Sequence, residues 1–314
     1  MSFPKGFSTI AEAAKALSSE IKGKIVLITG GSVGGLGAEC AATIVKHSPA
    51  LVILTARSQA KIDEAFAEIK KETPGAPLRP LIVDTSSLKS VREAAKEINS
   101  WDEVIDVVIH NAGVASVPLT YTEEGLELVF ATNHVGPFLF TKLILPKMLT
   151  KPTPPRFVIV ASGAHERLSE GFNWSDPNCR QPGSYDMAIY PKSKTLNILF
   201  AAALARKSGG KVEAISVTPG WIYTGLSRNL SFEVKRKMGF LDENGNVSDK
   251  MDPKGRFASY VVAGFDPKLP KVANGAYLDA DGVITEPKPF AKGVDLEEKL
   301  WALSEESIGE KFEL

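Results

Sequence analysis

Short apolar runs alternate with helical patterns along most of this chain, and that alternation limits the possible folds more than any other feature. The runs are apolar almost throughout, as expected for parallel strands covered by helices on both faces. Because strand and helix follow each other strictly, the sequence predicts an α/β fold with a doubly wound parallel sheet. The predicted strands are Ile25–Thr29, Leu51–Thr55, Leu78–Val83, Val104–Ile109, Phe157–Ala161 and Val212–Val217.

Helices are predicted between these strands and around them. Thr122–Met148 is the longest helical stretch, and the Gly136-Pro137 pair predicts a bend in it. A further short strand is predicted at Ala276–Leu278. The other predicted helices are Thr9–Glu20, Ser58–Glu72, Ser87–Ile98, Thr195–Arg206 and Leu296–Ser304.

No repeat or linker divides the chain, so we predict one domain over residues 23–314, preceded by a helical extension over residues 1–22. Residues 163–187 and 223–253 form two long segments that each follow a strand, and open α/β sheets bind ligands at the carboxyl ends of strands. We expect these segments to form the substrate pocket, with residues 223–253 as a lid. The aromatic side chains expected to favour apolar ligands there are Phe172, Trp174, Trp221, Phe232 and Phe240.

The composition excludes several classes of protein. Among 314 residues, 37 Lys and Arg balance 37 Asp and Glu, and a neutral chain without a basic run is poorly suited to bind nucleic acid or anionic lipid. Two cysteines cannot build a disulfide framework or a thiolate metal cage, and we predict no metal site. Neither a secretory signal nor an apolar run of bilayer length is evident, so we predict a cytoplasmic protein without a membrane span.

The first predicted strand runs directly into a glycine-rich turn, Thr29–Glu39, which opens a helix. A turn without Cβ atoms lets a diphosphate approach the backbone, and the helix N-terminus offers N–H groups and the positive end of its dipole. A purely structural turn is the alternative. The position between the first strand and the first helix favours a nucleotide site.

The end of the second predicted strand indicates which nicotinamide cofactor is bound. A carboxylate there would hydrogen-bond the adenosine ribose and repel a 2′-phosphate, but Ala56 and Arg57 occupy the position. Because an arginine can pair with a phosphate dianion, the sequence predicts NADP(H) rather than NAD(H). A merely solvated surface arginine is the alternative, which the position beside the glycine-rich turn disfavours.

Tyr190 and Lys194 are four residues apart, which places them on one face of a helix. A phenol with a pKa of about 10 is a poor acid at neutral pH. A nearby ammonium and the positive charge of an oxidised nicotinamide would lower that pKa, so the phenol could give a proton to a carbonyl oxygen as hydride arrives. Pro191 disfavours helical geometry at Tyr190, so we expect the helix to begin nearby, with Pro191 in its first turn.

Four further motifs occupy the long helix and the ends of three strands. They are Thr132-Asn133-His134, His110-Asn111-Ala112-Gly113, Ala161-Ser162-Gly163 and Thr218-Pro219-Gly220-Trp221-Ile222-Tyr223-Thr224. With these motifs, the chain resembles the short-chain dehydrogenase/reductase family from Lys24 onward, and its retinol-dehydrogenase-like and fungal members in particular. Those members share the Asp84–Leu88 run and the long loop after the serine. The resemblance implies a Rossmann fold.

The resemblance also implies a role for each matched residue. Tyr190 would be the acid–base group, and Lys194 would lower its pKa while bonding the nicotinamide ribose. Ser162 would hold the substrate oxygen, and Asn133 would anchor a water that links Lys194 to solvent. The implied cofactor contacts are Gly31, Ser32, Gly35, Leu36 and Gly37 along the diphosphate, Asp84 and Thr85 beside adenine, Asn111, Ala112 and Gly113 on the floor, and Pro219, Gly220, Ile222 and Thr224 near the carboxamide.

The chain departs from the family pattern in two spacings. Thr29-Gly30 precedes Gly35 and Gly37 by one residue more than usual, so either the turn bulges or Gly30-Gly31 takes the Thr-Gly positions. The interval from Ser162 to Tyr190 is 190 − 162 = 28 residues, about double that of simpler members. The long interval fits the subgroup with the long loop.

The leading hypothesis is an NADP(H)-dependent oxidoreductase that interconverts a lipophilic aldehyde or ketone and its alcohol. The alternative is a non-catalytic NADP-binding sensor, although a sensor has no need to keep Asn133, Ser162, Tyr190 and Lys194 together. A pure scaffold protein is a weaker third reading. His165 either touches substrate or is structural, and a homo-oligomer is possible.

Overall fold

The computed structural model describes residues 6–314, and their strands form one sheet. Its strands are β1 (Ile25–Ile28), β2 (Leu51–Ala56), β3 (Leu78–Ile82), β4 (Val107–His110), β5 (Arg156–Val160), β6 (Glu213–Val217), β7 (Tyr277–Leu278) and β8 (Ile284–Thr285). The order across the sheet is β3-β2-β1-β4-β5-β6-β7-β8. Every neighbouring pair is parallel except the last, in which β7 and β8 run antiparallel. The predicted doubly wound parallel sheet is therefore confirmed, and β8 was not predicted.

Helices pack on both faces of this sheet. They are α1 (Ile10–Ala16), α2 (Ser18–Ile21), α3 (Leu36–Ile44), α4 (Gln59–Glu72), α5 (Leu88–Ser100), α6 (Leu128–Phe130), α7 (Gly136–Met148), α8 (Ile189–Lys207), α9 (Phe232–Lys237), α10 (Ser259–Phe265), α11 (Leu269–Ala273) and α12 (Val294–Ile308). Strand β1 shows how both faces of the sheet are covered, because its side chains point alternately to the two layers of helices. Its Leu27 packs with the α7 and α8 side, whereas Val26 and Ile28 pack with the α3 and α10 side.

The winding direction of the sheet reverses at β1. Ile28 pairs with Leu54 on one side and with Ile109 on the other, so the chain moves outward from β1 in both directions. A crevice opens at such a switch point, outside the carboxyl ends of the strands. The glycine-rich turn after β1 and the segments after β4 and β5 therefore meet in one place.

The long central helix begins later than predicted, at Leu128 rather than Thr122. The Glu127 carboxylate caps it, accepting hydrogen bonds from the backbone N–H groups of Val129 at 2.8 Å and Phe130 at 2.7 Å. A π-helical turn, Ala131–Val135, lies immediately before Gly136, where the sequence predicts a bend. A Cβ atom on Gly136 would lie 1.9 Å from the Thr85 carbonyl oxygen, so glycine is required for this helix to pass the turn after β3.

Leu128–Met148 is also the one helix among residues 6–314 whose length and apolar composition would suffice to cross a membrane. In the structure 83% of its most apolar window is buried inside the protein. The core helix of a soluble protein has the same properties, so this segment is weak evidence for a span.

The helical extension at the N-terminus is divided into α1 and α2 rather than forming one helix. Thr9 caps α1 by accepting a hydrogen bond from the Glu12 backbone N–H at 3.2 Å. Ile10 and Ala14 are buried in the core on the α3 and α10 side of the sheet. The first five residues of the predicted extension lie outside the described part of the chain.

Candidate active site

A cleft of about 480 Å³ lies at the carboxyl ends of β1, β2, β4 and β5. It runs across the switch point, from the end of β2 to the start of α8. The predicted site residues that line it are Ser32, Gly35, Leu36, Arg57, Asp84, Thr85, Asn111, Ala112, Gly113, Tyr190, Lys194, Pro219 and Thr224. Other predicted residues, namely Gly31, Gly37, Asn133, Ser162, Gly220 and Ile222, are not among the lining residues, and the structure shows what each of them contacts.

Gly31 and Gly37 shape the turn after β1 from behind the cleft wall. A Cβ atom on Gly31 would lie 2.2 Å from the Leu54 side chain, and one on Gly37 would lie 2.5 Å from the Gly30 carbonyl oxygen. Larger residues at either position would therefore push the turn away from β2 or from α3. Their smallness brings the backbone of the turn close to the N-terminus of α3, which is the arrangement that binds a diphosphate.

Asn111 ties the end of β4 to this turn. Its amide nitrogen donates to the Thr29 carbonyl at 2.8 Å and the Gly30 carbonyl at 3.2 Å, and its amide oxygen accepts from the Tyr260 hydroxyl at 2.9 Å. Tyr260 also lines the cleft, its side chain is fully buried, and it was not predicted from the sequence. No spacing signal could have found it, since it lies 149 residues from Asn111.

One end of the cleft carries positive charge. Ala56 is buried at the tip of β2, and the exposed Arg57 follows it into the cleft wall. Lys61, four residues later on α4, lines the same region and was not singled out from the sequence. Asp84 also lines the cleft, and its carboxylate accepts from the Ser86 backbone N–H at 2.9 Å and the Ser86 hydroxyl at 2.6 Å.

Tyr190 and Lys194 lie at the other end of the cleft. Helix α8 begins at Ile189, so Pro191 lies in its first turn, as predicted. The Lys194 ammonium nitrogen lies 5.7 Å from the centre of the Tyr190 ring and donates to the Val160 carbonyl at 2.8 Å. That contact joins the helix to the end of β5, which brings the phenol and the lysine to the switch point.

Burial is the largest influence on the pKa values of Tyr190 and Lys194. Burial raises the pKa of Tyr190 to about 12, and interaction with the Ser162 hydroxyl offsets only part of that rise. Burial also lowers the pKa of Lys194 to about 7 and so disfavours its charged form. The phenol is therefore a protonated hydrogen-bond donor at neutral pH.

Asn133 acts on the backbone beside the cleft. Its amide oxygen accepts from the Val114 N–H at 2.8 Å, and its amide nitrogen donates to the Val114 carbonyl at 3.1 Å and the Ser193 hydroxyl at 2.9 Å. The Ser193 hydroxyl donates in turn to the Tyr190 carbonyl at 2.7 Å. The π-helical turn thus connects the segment after β4 with the start of α8.

Ser162 lies where β5 ends, and the interval of 28 residues in sequence does not separate it from Tyr190 in space. Its hydroxyl oxygen accepts from the Ala164 backbone N–H at 3.1 Å. The next backbone N–H, that of Gly163, donates to the Thr218 hydroxyl at 3.0 Å. The Ser162 O–H hydrogen is therefore left to donate toward Tyr190 or a bound molecule.

The segment after β6 is held in a hydrogen-bonded loop. The Asp252 carboxylate accepts from the Trp221 backbone N–H at 2.7 Å and pairs with Arg256 at 2.8 Å. Ile222 forms a single bridge with Asp252, and Gly220 packs directly against that carboxylate. These contacts explain why Gly220 and Ile222 support the cleft rather than line it.

None of the five aromatic side chains expected in the substrate pocket lines this cleft. Phe172 packs in the core against Phe130, with ring centres 5.5 Å apart, and Trp174 packs against Phe172. Trp221 is covered by the Arg167 guanidinium at 3.8 Å. The apolar lining residues Val114 and Val117 pack in one cluster with Tyr190, and Leu128 and Leu226 also line the cleft.

Comparison with known proteins identifies the family and agrees with the fold. The sequence model of the short chain dehydrogenase family matches residues 24–174. A short-chain dehydrogenase/reductase of Armillaria gallica is 38% identical over 221 residues, covering 68% of this chain and 69% of the relative. The chain belongs to the short-chain dehydrogenase/reductase family. Retinol dehydrogenase 14 of Homo sapiens is 33% identical over 306 residues, covering 91% of this chain and 87% of that protein.

Membership of the short-chain dehydrogenase/reductase family makes this protein an oxidoreductase of a class that binds a nicotinamide cofactor. A solved structure of an uncharacterized protein from Mycobacterium paratuberculosis has the same fold, with a TM-score of 0.69, 27% identity and coverage of 94% of this chain and 96% of that one. The residues present fit a dinucleotide. The close packing at Gly31 and Gly37 exposes backbone at the N-terminus of α3, and the cleft extends from there to Tyr190.

Proposed function

We propose that this protein is an NADP(H)-dependent oxidoreductase that interconverts a lipophilic aldehyde or ketone and its alcohol, with Tyr190 as the acid–base group. One observation carries the proposal: a single cleft has Arg57 and Lys61 at one end and Tyr190 and Lys194 at the other. A dinucleotide needs its phosphates bound at the first end and its reactive ring held at the second.

The preference for NADP(H) rests on the tip of β2. The buried Ala56 offers no carboxylate to an adenosine ribose, and two cations, Arg57 and Lys61, line the adjacent wall. Two positive groups suit a 2′-phosphate dianion, which a carboxylate at this point would repel. Ser32 and Leu36 would hold the diphosphate, and Asp84 and Thr85 would flank adenine.

A nicotinamide held in the cleft would supply or accept the hydride, and the protein's own residues would supply the proton. Tyr190 is protonated at neutral pH, so its hydroxyl can donate to a carbonyl oxygen that gains charge. The Ser162 hydroxyl, whose oxygen already accepts from Ala164, has its hydrogen free to bind the same substrate oxygen. Lys194, held on the Val160 carbonyl, can bond the nicotinamide ribose and return a proton toward Tyr190.

A lipophilic substrate is favoured by the surface around the phenol. Val114 and Val117 pack in one cluster with Tyr190, and Leu128 and Leu226 add apolar surface to the same cleft. The name of the human relative, a retinol dehydrogenase, points to the same class of substrate. We further propose that residues 23–314 form one cofactor-binding domain, with residues 1–22 as an extension, in a cytoplasmic protein.

The experiment that tests this function follows absorbance at 340 nm with NADPH and a panel of lipophilic aldehydes and ketones. The wild type should oxidise NADPH, and Tyr190→Phe should lower turnover by about 10²–10⁴-fold, as for a lost general acid, with little change in NADPH affinity. Tyr121→Phe, which removes a hydroxyl bonded to the Cys179 carbonyl away from the cleft, should retain activity. NADPH binding without turnover of any carbonyl compound by the wild type would instead support a sensor.

A further inference from the structure

His165 contacts Ser162 without reaching the cleft. Its side chain is fully buried, and it is not among the residues that line the cleft. Its Nδ1 atom lies 2.7 Å from the Ser162 carbonyl oxygen, and its backbone N–H donates to the same oxygen at 3.3 Å. Because a carbonyl oxygen can only accept, Nδ1 must carry the hydrogen of this bond. The tautomer of the ring is therefore set by Ser162.

The other side of the imidazole packs against Tyr277 on β7. The two ring centres are 5.3 Å apart, with an angle of 88° between the planes. Within residues 6–314, neither the His165 Nε2 atom nor the Tyr277 hydroxyl has a hydrogen-bond partner, although both are buried. A protonated ring would place an N–H in that apolar contact, and burial lowers the pKa of His165. The ring is thus a neutral group with a single polar function, its bond to Ser162.

This bond acts on a short turn that orients the Ser162 hydroxyl. The 3₁₀ turn Gly163–Arg167 follows Ser162 directly, and its Ala164 N–H donates to the Ser162 hydroxyl oxygen. His165 closes the turn from within by bonding back to the Ser162 carbonyl. The carbonyl and the hydroxyl of Ser162 are therefore held by the same turn, and without the imidazole bond the carbonyl would keep only the 3.3 Å bond from the His165 backbone N–H.

We propose that His165 is a positioning residue for the reaction: by holding the Ser162 carbonyl from the buried side, it orients the Ser162 hydroxyl toward the substrate oxygen. This inference rests on the proposed function, in which Ser162 binds that oxygen. Lys194 and Asn133 bind Val160, Val114 and Ser193, none of which His165 holds, so we expect a change at His165 to leave cofactor binding intact.

Two variants separate the hydrogen bond from the packing of the ring. His165→Asn keeps a donor close to the position of Nδ1 but loses the ring, whereas His165→Phe keeps an aromatic ring against Tyr277 but has no donor. We expect kcat to fall by roughly tenfold to a hundredfold in His165→Phe, as for a small misplacement of a reacting group, and to stay near wild type in His165→Asn. NADPH affinity, measured by fluorescence titration, should be unchanged in both. The opposite order, with Phe active and Asn impaired, would show that His165 only packs and would overturn the proposal.

A double-mutant cycle with Ser162→Ala locates the effect. In that background His165→Phe should cause no further loss of kcat, because the group it positions is gone. Equal losses in both backgrounds would refute the inference. If His165→Phe does not fold, His165→Leu takes its place.

A measurement that needs no turnover keeps the inference separate from the proposed function. Amide exchange at Gly163 and Ala164 should be faster in His165→Phe than in His165→Asn or the wild type. Equal exchange in the three proteins would refute the positioning role. Unchanged turnover in Ser162→Ala alone would count against the proposed function and not against the contact.

Discussion

Replacing Arg57 by alanine tests the cofactor preference directly. Arg57 is exposed in the cleft wall and makes no ion pair or side-chain hydrogen bond within residues 6–314, so its removal leaves no buried group without a partner. A charge-assisted contact to a phosphate contributes about 1.5–3 kcal/mol, and water at an exposed site favours the lower end. We therefore expect Arg57→Ala to weaken NADPH binding roughly tenfold while NADH, which lacks the 2′-phosphate, binds almost unchanged.

Lys61 and Lys70 supply the comparison variants. Lys61→Ala should weaken NADPH alone, because Lys61 lines the same wall of the cleft. Lys70→Ala removes an exposed charge from the same helix, α4, outside the cleft, and should change neither cofactor. Ala56→Asp should penalise NADPH by repulsion and offer the NADH ribose a partner. Fluorescence titration of NADPH and NADH into each protein tests this assignment. If the wild type prefers NADH, or if Arg57→Ala weakens the binding of both cofactors equally, Arg57 does not bind the 2′-phosphate.

Three further predictions concern stability and motion. Gly136→Ala should lower the free energy of unfolding by about 1–3 kcal/mol in urea titrations, because the new Cβ would lie 1.9 Å from the Thr85 carbonyl oxygen. Gly264→Ala, whose Cβ would have contacts of 3.6 Å or more, should leave stability unchanged, and equal free energies for the two variants would contradict this reasoning. Burial lowers the pKa of Lys194 to about 7 in the folded protein, so between pH 7 and the ordinary lysine pKa the unfolded chain binds one proton more than the folded chain. The free energy of unfolding should therefore rise with pH in that window, and Lys194→Met should make the rise smaller. Hydrogen exchange in residues 223–253 should slow when NADP is added, and equal exchange would refute a lid.

The sheet was predictable because its strands carry their signal locally. Val26, Leu27 and Ile28 are all buried, on alternate faces, so an unbroken apolar run suffices to predict a covered parallel strand. The two-residue strand β8 has no such run, and its pairing with β7 depends on the turn between them. The start of the long helix was missed for a different reason. Glu127 caps it with its own side chain, and a buried acidic residue gives no periodic signal.

Within the site, contacts set by local helical geometry could be predicted from the sequence, and contacts between distant parts of the chain could not. Tyr190 and Lys194 are four residues apart on one helix, so their proximity follows from helical geometry. Tyr260 reaches Asn111 across 149 residues, a contact that no local pattern contains. Residue spacing reports nearby charge but not burial, and burial is the effect that raises the pKa of Tyr190 in the structure. The positions of Phe172 and Trp174 could not be predicted either, since they depend on packing against the core.

The glycine-rich turn and Arg57 support the assignment of a nucleotide site by two different physical effects, backbone packing and charge. Gly31 and Gly37 are fixed by contacts with Leu54 and Gly30, so their identity follows from backbone packing and holds for any dinucleotide. Arg57 packs against nothing that requires an arginine, and its identity is informative only through the charge it brings to the cleft. A chain with the same turn and a carboxylate at position 56 or 57 would have the same fold and the opposite cofactor preference. The fold and the cofactor preference are therefore separate inferences, and the titrations of Arg57→Ala test the second without touching the first.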